Sequence, residues 1–194
     1  MEQHPPTDQE LIASYRNGDT DALEALFHRH KNVVFNFCFK ILRNRAEAED
    51  ATSEVFMALI TKTYEIQNAK FTTWLLTVAR NQCLSRLRQL KRVTPLGGKN
   101  AATDEFEPLD VPDESDSPAQ KLQAKEAAAL LHRAVGALPR ELKEALILRE
   151  FQYLSYEEIA VVLHCSLPKV KILIYRAREY LRANLPLHLK GGMS

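Results

Sequence analysis

The chain has 194 residues, 45% of them hydrophobic, and a formal net charge of +1, an ordinary globular content sufficient for one domain or two small ones. No apolar run approaches the ~20 residues of a membrane span, and the polar opening Met1–Pro6 does not read as a secretory signal. The three cysteines, Cys38, Cys83 and Cys165, lack CxxC spacing, which argues against a disulfide framework and for a reduced, cytoplasmic setting.

Nearly every segment reads helical. Thr7 with Glu10 forms a capping box before a short helix that ends at Gly18. A second helix starts near Thr20 and runs through Leu23, Leu26, Phe27, Val33, Val34, Phe37 and Ile41. A third covers about 46–63, with Val55, Phe56, Leu59 and Ile60 predicted inward. Tyr64–Lys70 is a polar loop, and a fourth helix from about Thr72 to Arg92 carries Leu75, Val78, Ala79 and Leu87 before a basic end. His28 and His30 lie two apart, on different faces of one helix, so a shared metal is not expected, and neither is a cofactor.

From Val93 to Pro118 the helical pattern stops at Pro95, Gly97-Gly98, Pro108, Pro112 and Pro118. The charge distribution changes there as well. Arg80–Asn100 holds six bases (Arg80, Arg86, Arg88, Lys91, Arg92, Lys99) and no acid. Ala101–Gln120 holds seven acids (Asp104, Glu105, Glu107, Asp110, Asp113, Glu114, Asp116) and no base. This segment reads as a flexible acidic linker. Beyond it helix resumes near Ala119 and continues to about Val135. Pro139 opens another helix, with Leu142, Ala145, Leu146 and Ile147. Lys169–Lys190 has six bases against Glu179 alone, so a neutral total conceals two basic surfaces suited to a polyanion.

The segment 154–181 carries the most specific pattern. Ser155 and Glu158 form a capping box, Ile159, Ala160 and Leu163 supply an apolar face, and a short turn leads to Ser166, a second cap, with Pro168 in the first turn of the next helix. In that helix Val170, Leu173, Ile174, Ala177 and Leu181 share one side. Pro168, Ile172 and Tyr175 lie opposite, flanked by Lys169, Lys171, Arg176 and Arg178. This is the layout of a helix-turn-helix whose second helix enters a DNA major groove, where cations reach phosphates or guanine edges and apolar groups meet thymine methyls. A solvated basic helix in an ordinary bundle is the plainer alternative.

Three motifs together, Asp50-x-x-x-Glu54-Val55-Phe56, then Phe71-x-x-Trp74-Leu75-x-x-Val78-Ala79-Arg80-Asn81, then Leu154-Ser155-Tyr156-Glu157-Glu158-Ile159-Ala160, resemble the extracytoplasmic-function (group 4) sigma factors of the sigma-70 family over residues 8–185. The resemblance implies an all-α protein: a σ2-like bundle at 8–93, an acidic flexible linker at 94–118 and a σ4-like helix-turn-helix bundle at 119–186. It implies a non-enzymatic factor that binds RNA polymerase core and directs promoter-specific initiation, with an anti-sigma factor as a further partner. Asp50, Ser53, Glu54 and Phe56 would dock on the polymerase clamp helices. The minus-10 DNA would meet Tyr64, Gln67, Asn68, Lys70, Arg80, Asn81, Arg86, Arg88, Lys91 and Arg92. The minus-35 DNA would meet Ser166, Lys169, Lys171, Ile172, Tyr175, Arg176 and Arg178. Trp74 either fills the core against Phe71 and Val78, the favoured role, or wedges the duplex as aromatics do in housekeeping members. The sequence departs from the common pattern at Ser53 (often Gln), Ser85 (often Asp), Pro168-Lys169 (often Gly-Thr) and Ile172 (often small and polar). A stand-alone DNA-binding regulator with a sensing or dimerising N-terminal bundle is the rival reading.

Overall fold

The computed structural model describes residues 5–62, 70–93 and 118–185. The first helix, α1 (Asp8–Arg16), begins at the expected capping box: the Thr7 N–H donates to the Glu10 carboxylate at 2.7 Å, and the Glu10 N–H to the Thr7 hydroxyl at 3.3 Å. Gly18, at φ +98, turns the chain where a side chain would be strained. Asp19 caps α2 (Thr20–Leu42) by accepting from the N–H groups of Asp21 and Ala22. Arg43 in the left-handed conformation ends that helix, and the Asn44 side chain accepts from the Glu47 N–H to start α3 (Arg45–Lys62). After the loop, α4 (Phe71–Val93) completes an N-terminal unit in which α2, α3 and α4 pack on one another and α1 lies on α2. Asp8 fastens α1 there, accepting from Arg29 at 2.7 Å and contacting the His30 ring at 2.9 Å.

The second unit contains α5 (Pro118–Ala137), α6 (Arg140–Glu150), α7 (Tyr156–Leu163) and α8 (Leu167–Asn184). Helix α8 is its hub, touching α5, α6 and α7. Among the described residues all regular structure is helical, as expected. Residues 94–117, most of the expected linker, lie outside the described residues.

The apolar stripes bury as their periodicity requires, with one correction. Ala48, Ala51, Thr52, Val55 and Leu59 of α3 are buried, but Ile60 is 46% exposed. At ~100° per residue, Ile60 stands a further 100° around the helix from Leu59 and leaves the stripe. Phe37, Leu26, Leu75 and Leu76 fill the N-terminal core, and Leu146, Ile147, Ile159, Ile174 and Leu181 the C-terminal one. The two units are also in contact. Helix α4 packs on α7 and α2 on α6, so one apolar core runs through both. Among the described residues no helix is long and apolar enough to cross a membrane.

Candidate nucleic-acid interface

Helices α7 and α8 form the helix-turn-helix that their sequence predicts. The Ser155 hydroxyl accepts from the Glu158 N–H at 3.2 Å, and the Glu158 carboxylate accepts from the Ser155 N–H at 2.8 Å. Burial pushes the Glu158 carboxyl up, but hydrogen bonds from the Ser155 backbone, the Lys70 ammonium and the Ser155 hydroxyl outweigh it, so its pKa lies below the usual value. His164 takes the left-handed conformation at φ 51, and the N–H groups of His164 and Cys165 close the turn onto Val161 and Ala160 carbonyls. Ser166 occupies the cap position of α8 with extended backbone, but its hydroxyl makes no capping bond, a correction to the expected role. Pro168 in the first turn presets the helical φ there instead.

All five predicted inward residues of α8, Val170, Leu173, Ile174, Ala177 and Leu181, are buried. The opposite face presents Lys171, Ile172, Tyr175 and Arg176, with Ile172 51% and Tyr175 65% exposed. Lys169 reaches Glu141 at 3.1 Å across the surface. Arg178 stands differently: it is half-buried and donates to Glu150 at 2.8 Å, which raises its pKa. That places it at the α6–α8 contact, beside the exposed face rather than on it. The α6–α7 turn is held by Arg149, which donates to the Leu154 carbonyl at 2.8 Å and lies over the Tyr156 ring.

The N-terminal unit presents two surfaces. On α3, Asp50 is 72% exposed and Glu54 about half exposed, one helical turn apart. The Ser53 hydroxyl, exposed beside them, donates to the Glu49 carbonyl. Phe56 is buried against Phe27, edge to face at 4.8 Å, so as a docking residue it corrects to a core residue; the exposed apolar neighbours are Met57 and Ile60. Arg86 reaches over from α4 and meets three carboxylates, Glu54 at 2.6 Å, Glu47 at 2.7 Å and Asp50 at 3.7 Å. Burial disfavours its charge, but these hydrogen bonds and charges outweigh burial and raise its pKa.

Helix α4 was expected to hold minus-10 phosphates with its cations. Asn81, Arg88 and Arg92 do lie exposed on it. Arg86, clamped by α3, does not, and neither does Arg80. The Arg80 guanidinium donates to Glu144 of α6 at 2.7 Å, and Glu144 is 1% exposed. Both cations are drawn inward because a partly buried guanidinium must find a counter-charge. Lys70, before α4, is exposed and 3.1 Å from Glu158. Trp74 stacks on Phe71, centroids 6.4 Å apart, which places it in the core role favoured for it. Tyr64, Gln67 and Asn68, and the Lys91 side chain, lie outside the described residues.

Residues 26–93 match Sigma-70 region 2, and residues 128–181 match Sigma-70, region 4. The chain is 30% identical over 174 residues to the RNA polymerase sigma-H factor of Pseudomonas aeruginosa, covering 89% of this chain and 90% of that one. The chain belongs to the extracytoplasmic-function sigma factors of the sigma-70 family. Its likeness to the ECF sigma factor SigW of Bacillus subtilis is 28% over 177 residues, covering 90% of this chain and 94% of SigW. Among solved structures, the fold matches CnrH, in complex with the cytosolic domain of CnrY, at a TM-score of 0.65 and 21% identity, covering 91% of this chain and 95% of that one. It matches the sigma factor RpoE of Bartonella quintana, in complex with the anti-sigma factor NepR, at 0.64 and 20%, covering 84% and 96%.

This sigma factor directs promoter-specific initiation by RNA polymerase. Several of its functional groups were not foreseen in the sequence. Glu47, Glu150 and Glu144 decide where Arg86, Arg178 and Arg80 point. For Glu144 a signal existed: it lies three and four residues before the buried Ile147 and Leu148, so a carboxylate sits in line with an apolar stripe. Cys38 and Cys83 are buried thiols; the hydrogen bond to Cys38, and then burial, push the Cys83 pKa up and keep it a neutral thiol. Among the described residues no group of His, Cys, Asp and Glu is arranged to hold a metal ion.

Proposed function

We propose a division of labour for this sigma factor in which the C-terminal unit, 119–186, reads the minus-35 element through Lys171, Ile172, Tyr175 and Arg176. The exposed face of α8 carries that reading: its cations and apolar groups are outward, while the five residues opposite are buried. Ser166, Lys169 and Arg178 flank this face and serve phosphates, which set register rather than sequence. The N-terminal unit, 8–93, reads the minus-10 element through Lys70, Asn81, Arg88 and Arg92, with Tyr64, Gln67, Asn68 and Lys91 contributing from the loop and the basic end of α4. Asp50, Ser53 and Glu54 form the polymerase-docking face of α3, supported by their exposure and by the adjoining apolar Met57 and Ile60. Segment 94–118 serves as the acidic linker.

The factor carries out no reaction of its own and acts in the cytoplasm, where polymerase and promoter are. An anti-sigma partner is part of the proposal, supported by the RpoE relative bound to an anti-sigma factor. Titration with purified core polymerase, followed by transcription of a genomic library and start-site mapping, tests the whole. A set of start sites sharing one bipartite motif is expected. Tight DNA binding without any core affinity would favour the stand-alone regulator instead.

A further inference from the structure

We infer that Glu141 and Glu150 of α6 are positioning residues that sharpen minus-35 discrimination. They hold the two flanking cations of α8, Lys169 and Arg178, so that these meet phosphates in one register of the duplex. The inference rests on the minus-35 assignment above.

The cations around the exposed face of α8 fall into two classes. Lys171 and Arg176 lie exposed, and no carboxylate pairs with them among the described residues. Lys169 and Arg178 are each held by an acid of the same neighbouring helix. The Lys169 ammonium stands 3.1 Å from the Glu141 carboxylate. Arg178 donates to one Glu150 oxygen from two of its nitrogens, at 2.8 and 3.3 Å. The four side chains are between 35% and 54% exposed, so both pairs stay within reach of an approaching polyanion.

The two pairs are nine residues apart on both helices, Glu141 to Glu150 and Lys169 to Arg178. Nine helical residues make two and a half turns and rise about 14 Å. At ~100° per residue, Lys169 and Arg178 therefore stand on opposite flanks of α8, on either side of Lys171, Ile172, Tyr175 and Arg176. A major groove is ~12 Å wide, with a phosphate strand along each edge. Helix α6 packs on α8 and brings one carboxylate to each flank. Each edge of the groove that α8 enters thus faces one paired cation.

A free lysine or arginine side chain is long and rotamer-rich, and it finds a phosphate in almost any register along a duplex. Contacts of that kind raise affinity without carrying sequence. A cation tied to a carboxylate on a packed helix stands at one point. In the register set by the base contacts a phosphate comes to that point. In a shifted register none does, and reaching one requires breaking the ion pair. The carboxylates therefore weaken mismatched complexes more than the matched one. An exposed ion pair shifts an equilibrium by at most about 5-fold, so the fold does not depend on either pair and the effect of each on DNA is a few-fold.

The test uses the full-length chain and fluorescence anisotropy with two short duplexes. One bears the mapped minus-35 element, and the other has that element scrambled at constant composition. Glu141→Gln and Glu150→Gln should each tighten binding to the scrambled duplex about 3-fold, and the double variant about 10-fold. The matched duplex should gain less than about 2-fold, so discrimination falls. On the scrambled duplex the slope of log affinity against log salt should steepen by about 1 for each cation released. The gains should vanish when Glu141→Gln is placed on Lys169→Ala, and Glu150→Gln on Arg178→Ala. Melting temperatures of the two Gln variants should stay within about 2 °C of wild type. With core polymerase bound, the double variant should initiate from a promoter with a scrambled minus-35 element at a larger fraction of its matched rate than wild type does. Equal gains on both duplexes, or gains that persist without the paired cation, would reveal a diffuse charge effect and overturn the positioning role. Gln variants that bind both duplexes like wild type would overturn it as well. A wild-type chain that binds both duplexes alike would sink the minus-35 assignment itself, and the inference with it.

Discussion

Helices α4 and α8 are both basic, and the tertiary structure gives their cations opposite fates. On α8, no carboxylate pairs with Lys171 or Arg176 among the described residues, and both are exposed. On α4, Arg80 and Arg86 are each consumed by acids of neighbouring helices. The difference follows from position. Among the described residues the outward face of α8 has no neighbour, whereas α4 is wedged between α3 on one side and α6–α7 on the other. A count of basic residues thus measures the capacity to bind DNA, and packing decides how much of that capacity is free.

If Arg86 is structural and not a phosphate contact, removing it should damage the fold before it damages DNA binding. Arg86→Ala leaves Glu47, Asp50 and Glu54 facing one another without their shared cation, and should cost roughly 2–3 kcal/mol of stability in a urea melt. Arg86→Lys should recover only part, because an ammonium cannot fork between carboxylates on opposite sides. An Arg86→Ala protein as stable as wild type would erase the contrast between the helices.

The converse holds for α8. Lys171→Ala and Arg176→Ala should leave the melting temperature unchanged, yet each should alter preference within the minus-35 element by about 1–3 kcal/mol per lost base contact. Arg178→Ala should weaken all promoters alike. Equal, sequence-independent losses from all three would make the α8 face a phosphate surface only.

Within the helix-turn-helix, two serines at equivalent cap positions sharpen the comparison on a smaller scale. Ser155→Ala removes a capping bond and should cost about 1 kcal/mol, whereas Ser166→Ala removes none and should cost under about 0.5 kcal/mol. Thermal melts of the two variants side by side decide it.

The smallest expected effect concerns pH. The Glu158 carboxyl is held below its ordinary pKa of 4.5 in the folded state, so its contribution to stability is present above that value and is lost as pH falls through the folded pKa. The melting-temperature advantage of wild type over Glu158→Gln should therefore shrink as the pH is lowered below 4.5 and through the folded-state pKa. A gap independent of pH would mean that the Lys70 and Ser155 contacts do not favour the ionised form.

Local physics was legible in the chain. The caps at Thr7 and Ser155 with Glu10 and Glu158, the turn at Gly18 and the inward stripe of α8 all follow from hydrogen-bonding needs and a 3.6-residue period, which act within a turn or two. The three motifs fixed the family for the same reason, since each is a short stretch on one element. The fate of the cations was not legible. Arg80 meets a carboxylate 64 residues away, and Arg86 meets carboxylates 32 and 39 residues away. No periodicity within a helix encodes such meetings. They arise only when helices pack, and a half-buried guanidinium then turns toward whichever carboxylate the packing has brought within reach.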